Sequence, residues 1–260
     1  MSAAPPQPLA GRGIVITRPA QQAAHLAGLV RGAGGHAILF PAIEIVAATH
    51  PQAVNELIDR LEQFDLAIFI SPNAVQHGLA LIQARRALPR QLKIAAVGGA
   101  SVRELERAGA SSVIAPQRFD SEALLEMPAL RDIAGRRVAI FRGEGGRELL
   151  GETLAARGAT VEYAECYRRR RPQLDPAPLL GAWARGEIHA VAVTSSEGLR
   201  NFCELVGEQG RTRLAATPLF VPHPRIERSA RDLGLANVVL TTQGDEGLLQ
   251  GMVEWFARRR

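Results

Sequence analysis

The chain has 260 residues, 47% of them hydrophobic but only 5% aromatic, so it can bury a sizeable core built mainly from Ala, Val, Leu and Ile. No apolar run approaches the roughly 20 residues that span a bilayer; the longest, Ala37 to Ala48, is interrupted by Pro41 and Glu44. The net charge is +5 and Lys93 is the sole lysine, so the basic side chains are almost all guanidinium forks suited to carboxylates or phosphates.

Met1 to Ala10 is rich in Pro, carries no basic side chain and reads as a frayed tail rather than a secretory signal, which points to a cytoplasmic protein. Cys166 and Cys203 are then expected as reduced thiols. The six histidines show no tight ligand spacing, so no metal is expected.

Short β-rich runs recur along the chain, each followed by a turn and a helical stretch. The strands are expected at Ile14–Thr17, His36–Phe40, Leu66–Ile70, Ile94–Val97, Ser112–Ala115, Arg137–Phe141, Thr160–Ala164, Ala190–Thr194, Leu219–Pro222 and Val238–Thr241. Helical spacing fills Gln21–Gly32, Asn73–Arg86, Ser101–Ala108, Arg147–Arg157 and Glu197–Val206. This alternation predicts βαβ units, and nearly continuous apolar strands predict parallel sheets covered on both faces. Ten units are too many for an eightfold barrel, so two doubly wound α/β sheets fit better. Residues 41–50 and 163–172 break the rhythm; both are extended, end at a proline and read as connectors. If they join the same two lobes, lobe one is 1–40 with 173–260, lobe two is 51–162, and each holds a parallel five-stranded sheet.

Ligands of open α/β sheets bind beyond the carboxyl ends of the strands. Those ends are mostly small, hydroxylated or glycine, with Arg18, Arg142 and Arg225 among them. Ser71 before Pro72 is a helix N-cap pattern, and cap duty alone accounts for any one such site. Several open helix N-termini together would instead make an anion site. Gly143-Glu-Gly-Gly146 lacks both the third glycine of a dinucleotide fingerprint and a GK[ST] ending, so a nucleotide cofactor is disfavoured. Arg168–Arg171 and the tail Arg258–Arg260 read as solvated charge. The only tyrosines, Tyr163 and Tyr167, both lie in the second connector and, four apart in an extended segment, would share a face.

Ile14-Val-Ile-Thr-Arg-Pro19, Phe40-Pro-Ala-Ile-Glu-Ile45, Phe69-Ile-Ser-Pro-Asn-Ala-Val75, Ala96-Val-Gly-Gly-Ala-Ser101, Cys166-Tyr-Arg168 and Val193-Thr-Ser-Ser-Glu-Gly198, in this order, make the chain resemble the uroporphyrinogen-III synthase family. The resemblance implies two Rossmann- or flavodoxin-like lobes joined by a two-stranded β connector, with the substrate between them. It implies a cofactor-free cyclising lyase acting on hydroxymethylbilane, a linear tetrapyrrole with eight carboxylates. Loss of the terminal hydroxyl would give an azafulvene, and attack by the far ring a spiro intermediate that recloses with the last ring inverted. By the same resemblance Tyr167 is the candidate acid. Arg18, Ser71, Ser101, Arg142, Gly143, Ser195 and Arg225 are candidate substrate contacts. At His223-Pro224-Arg225 the chain departs from the hydroxyl residues usual in relatives, leaving either Arg225 or backbone amides for a carboxylate there. The expected protein is a monomer with a small-molecule substrate and no nucleic-acid or membrane partner. A non-catalytic two-lobed protein for an anionic small molecule is the competing reading. Nucleic-acid binding is weaker still, because aromatics are scarce and the basic residues are scattered among acids.

Overall fold

The computed structural model describes residues 7–110, 112–118 and 120–259. The chain divides into two compact units, Met1–Glu44 with Arg170–Arg260, and Ile45–Arg169. Eleven strands run through the described residues: β1 Gly13–Ile16, β2 His36–Leu39, β3 Glu44–Ala47, β4 Leu66–Phe69, β5 Lys93–Ala96, β6 Val113–Ile114, β7 Arg137–Gly143, β8 Thr160–Arg170, β9 Ala190–Ala192, β10 Leu219–Val221 and β11 Val238–Leu240.

In the first unit the sheet order is β11-β10-β9-β1-β2, and every pairing is parallel. Alternate residues feed two separate cores, the arrangement that parallel strands require. Ile14, Ile16, Ala190, Ala192 and Phe220 pack with Leu26 and Val30 of helix Ala20–Gly32 and with Leu248 and Met252 of helix Gly244–Ala257. Val15, Val191, Val193, Leu219 and Val221 pack on the other side with residues of helices Ala177–Ala184, Ser196–Ala216 and Pro224–Asp232. Completely burying one Leu or Ile in this way contributes about 1.5–3 kcal/mol. The tail expected at residues 1–10 does not begin where the composition suggests. Leu9 is completely buried in the first of these cores, and its N–H donates to Ala33 O at 2.9 Å. Residues 1–6 lie outside the described residues.

The second unit carries the order β3-β8-β7-β4-β5-β6. Its sheet therefore has six strands, not the five expected, because residues 44–47 of the first predicted connector hydrogen-bond beside β8 as an edge strand. Most of the second predicted connector is likewise absorbed, since β8 runs on for 11 residues, to Arg170. Leu66, Ile68, Val138 and Ile140 face helices Ser121–Glu126, Pro128–Arg131 and Leu149–Ala156. On the opposite face the rings of Phe69 and Phe141 stack at 4.6 Å under helix Pro72–Gln83.

The β7–β8 ladder contains one irregularity. Ile140 pairs with Tyr163 and Arg142 with Glu165, but Gly143 pairs with Tyr167, leaving Cys166 unpaired in a bulge. A bulge changes which side of the sheet the following residue faces. Tyr163 therefore packs toward helix Leu149–Ala156, and Tyr167 toward helix Pro72–Gln83. The expectation that the two tyrosines share a face is wrong, because it assumed an uninterrupted strand.

Two mid-helix glycines make opposite predictions. A Cβ at Gly78 would stand 2.8 Å from Phe141 and 3.1 Å from Phe69, whose stacked rings are buried and cannot yield cheaply, whereas a Cβ at Gly28 meets nothing within 4 Å. Gly28→Ala should raise stability by up to about 1 kcal/mol, and Gly78→Ala should lower it by about 1–3 kcal/mol through overpacking. Melting temperatures of the two variants should bracket the parent; a Gly78→Ala protein as stable as Gly28→Ala would refute the packing assignment.

Candidate active site

Each parallel sheet has a point where the strand order reverses, and the crevice beyond the strand tips there is the preferred ligand position. In the first unit β2 and β9 flank β1, so the tips are Thr17-Arg18 and Thr194-Ser195. In the second unit β5 and β7 flank β4, so the tips are Ser71 and Arg142-Gly143. Five of the eight candidates thus flank the two reversal points. Tyr167 joins them through β8, paired with Gly143. Ser101 and Arg225 lie one strand further out, after β5 and β10.

Ser71 caps helix Pro72–Gln83, its Oγ accepting from Ala74 N–H at 3.1 Å, and the same Oγ lies 3.0 Å from the Tyr167 hydroxyl. Tyr167 is only 1% exposed, and its ring stacks on His77 with centroids 5.4 Å apart. Burial pulls the His77 pKa down, so that imidazole stays neutral at physiological pH. A Cβ at Gly143 would lie 2.7 Å from two Tyr167 ring carbons, so only glycine fits there. Glu144 N–H donates to Tyr167 O at 2.9 Å. The phenol is thus held by a serine, a neutral imidazole and a glycine turn.

Arg142, expected as a substrate contact, lies among polar groups of its own unit. It is 3% exposed and points to the Tyr163 face, its guanidinium stacked 4.4 Å over that ring. Nη2 donates to Gly146 O at 3.0 Å and to Glu148 Oε1 at 2.9 Å, while Nε lies 3.4 Å from both Gly143 O and Glu165 Oε1. These contacts are thus to groups of its own unit, while Nη1 is buried without a hydrogen-bond partner. Ser101 is 1% exposed in the first turn of helix Gly99–Arg107, and its Oγ is buried without a hydrogen-bond partner. The residue before that helix is Gly98, which offers no side-chain cap.

In the first unit Arg18 donates to Thr194 Oγ1 at 3.2 Å and pairs with Asp245 at 2.6 Å. Asp245 is buried and also holds His25 at 2.9 Å. Sequence reasoning missed Asp245. Its only signal was an acid in the first turn of the last helix, indistinguishable there from a residue complementing the helix dipole. Ser195 caps helix Ser196–Ala216 through Gly198 N–H at 2.9 Å. At the departure from the family pattern, His223 is itself the cap: its Nδ1 accepts from Arg225 N–H at 3.0 Å, so that amide is occupied while the Arg225 side chain is exposed. The helix ends thus divide. Those after Ser71, Ser195 and His223 are capped by side chains, and those after Pro19, Gly98 and Gln243 are not.

The remaining candidates for other chemistry stay apart. Among the described residues no group of three or more His, Cys, Asp or Glu side chains is placed to hold a metal ion. Cys166 and Cys203 are free and buried, and burial pushes the Cys166 thiol up to about 12. Of the basic tail, Arg259 stacks on Trp255 and Arg258 faces Glu254 at 4.0 Å; Arg260 lies outside the described residues. No helix is long and apolar enough to cross a membrane among the described residues.

Fold and tips together define a parallel α/β protein of two units, with hydroxyl and guanidinium groups gathered where each sheet reverses its strand order. Comparison with known proteins narrows this class. The model of the family described as uroporphyrinogen-III synthase HemD matches residues 24–250, and the chain belongs to that family. It is 34% identical over 239 residues to the uroporphyrinogen-III synthase of Escherichia coli, covering 91% of this chain and 97% of that one. The Salmonella typhimurium synthase is 35% identical over 239 residues, with the same coverage. Among solved structures, a mutant synthase from Thermus thermophilus superposes with a TM-score of 0.63 at 20% identity, over 96% of this chain and 100% of that one. The fold is also that of the Helicobacter pylori synthetase, at a TM-score of 0.59 and 14% identity over 94% and 99% of the two chains.

The two serine caps give a direct test. Losing either cap should cost about 0.5–2 kcal/mol. Ser71→Ala also leaves the buried Tyr167 hydroxyl short of a partner, which adds about 1–3 kcal/mol. Denaturant unfolding should therefore find Ser71→Ala less stable than Ser195→Ala; equal losses would mean that the Ser71–Tyr167 contact contributes nothing.

Proposed function

We propose that this chain is a uroporphyrinogen-III synthase that cyclises hydroxymethylbilane with loss of water and inversion of the last pyrrole ring. The observation that carries the reading is the likeness to the Escherichia coli synthase over nine-tenths of the chain, which spans both units. The reaction is a cyclising elimination in tetrapyrrole biosynthesis, run in the cytoplasm by a monomer that needs no cofactor.

The bilane closes unaided to the unrearranged type I isomer. The protein's task is therefore one of geometry: to bring the substituted carbon of the far ring to the azafulvene carbon before the unrearranged closure occurs. The pyrrole nitrogen expels the hydroxyl, and a positioned acid eases its departure. The Ser71–Tyr167 pair supports that role. Ser71 Oγ already accepts the Ala74 N–H, so the serine proton can turn to the phenolic oxygen and leave the phenolic proton free for the departing hydroxyl. Ser71 is the partly exposed member of the pair and Tyr167 the buried one, so the substrate hydroxyl approaches from the serine side. Carboxylates of the substrate suit the first turns after Pro19, Gly98 and Gln243, which no side chain caps and where the helix dipole favours anions. Ser101 at the second of these has a hydroxyl to offer. Ser195 and the exposed Arg225 extend the set of polar tips in the first unit. Arg18 can serve a carboxylate only by sharing its guanidinium with Asp245.

Freshly prepared hydroxymethylbilane should be converted by the purified protein to the type III isomer; a product mixture identical to the enzyme-free control would overturn the reading and leave a binding protein. Tyr167→Phe keeps the ring but removes the proton donor. Because the pyrrole nitrogen supplies most of the push, kcat should fall by about 10²-fold or less, the lower end for a lost acid, with more type I product. Tyr163→Phe should keep its rate, since that hydroxyl meets Glu148 on the opposite face of the sheet. Both rates unchanged would remove the tyrosine from the mechanism.

A further inference from the structure

We infer that Arg142 is a positioning residue: it clamps the turn at residues 143–146 against Tyr167 and so governs how faithfully the substrate closes to the type III isomer. The inference rests on the functional reading above but assigns Arg142 a task other than direct substrate binding.

The clamp is read from both sides of β7. On one side the guanidinium gathers the carbonyls at the two ends of the turn, Gly143 O and Gly146 O, and the carboxylate of Glu148 just beyond it. On the other side the same turn is the wall of Tyr167: Gly143 has no room for a Cβ against the ring, and Glu144 N–H holds the tyrosine carbonyl. The bulge at Cys166 makes this division possible, because it sends Arg142 and Tyr167 to opposite faces while keeping their backbones adjacent.

Local charge supports positioning over recruitment. One buried cation faces two carboxylates, Glu148 and Glu165, so the spot would repel a polycarboxylate rather than draw it. The ring of Tyr163 completes the cradle; its hydroxyl bonds Glu148, and burial together with that carboxylate pushes its pKa up to about 12. The phenol therefore stays protonated, and it is the ring, which phenylalanine would keep, that supports the guanidinium. A planar fork is needed here, since a single ammonium cannot reach two carbonyls and two carboxylates in divergent directions.

Arg142→Met keeps the stem and removes fork and charge; Arg142→Lys keeps only the charge. With hydroxymethylbilane as substrate, Arg142→Met should lower kcat about tenfold and raise the type I fraction, because a misplaced group costs rate, while KM stays within about threefold. Arg142→Lys should recover part of kcat and of the isomer ratio. Gly143→Ala, which presses on the tyrosine from the turn, should reproduce the Arg142→Met product pattern even if Arg142→Met folds poorly. Native hydrogen exchange at the Glu144 amide should quicken in Arg142→Met, a readout independent of turnover. A raised KM with kcat intact would make Arg142 a substrate ligand, and unchanged kcat, isomer ratio and Glu144 exchange in a folded Arg142→Met protein would remove the clamp. If the parent protein makes no type III isomer, the functional reading fails, while the exchange measurement still decides the clamp.

Discussion

Cys166 has no partner across the ladder, and that one extra residue in β8 organises the second unit. A regular strand would have put both tyrosines on the side of helix Leu149–Ala156, and Gly143 would have had nothing to accommodate. With the bulge, Tyr163 serves as a shelf for Arg142, while Tyr167 turns to Ser71 and His77. Cys166 fills the space by Gly78, where its thiol, pushed up to about 12 by burial, is inert filling rather than a nucleophile.

The first unit shows the same economy with different groups. Arg18 at the tip of β1 is oriented by Thr194 from β9 and by Asp245 from the last helix, three segments far apart in sequence. A guanidinium with a buried carboxylate beside it is a fixed feature, not a mobile surface charge, and the two together keep that tip polar without leaving an unpaired buried ion. The basic excess of the chain reads differently in this light. Arg60 and Arg137 share Glu162, Arg85 holds Asp59, and Arg170 holds Glu44, so many guanidinium groups are engaged in local ion pairs. Such exposed pairs contribute little stability each.

The helix caps explain how one pattern of strand-tip hydroxyls serves two purposes. Ser71, Ser195 and His223 close the first turns that follow them, whereas no side chain caps the turns after Pro19, Gly98 and Gln243. Ser71 alone does both jobs, capping a helix and meeting the tyrosine, because an oxygen with two lone pairs and a rotating proton has capacity for both.

The sequence by itself determined the class of fold. Apolar runs alternating with helical stretches force parallel strands covered on both faces, and local periodicity carries that information completely. It also located the strand tips and the tyrosine-bearing segment, since tip position follows from where each apolar run stops. Tertiary structure decided the rest. Whether residues 44–47 are a tether or a sixth strand depends on hydrogen bonds to β8, more than a hundred residues away. The side of the sheet that Tyr167 faces depends on a ladder register that no local pattern encodes. Whether an arginine at a strand tip reaches a ligand or is consumed by its neighbours depends on which acids the fold brings beside it: Glu148 and Glu165 for Arg142, and Asp245 for Arg18. These are long-range contacts, fixed only when the sheets are assembled, and for that reason the guanidinium groups were legible in the sequence while their tasks were not.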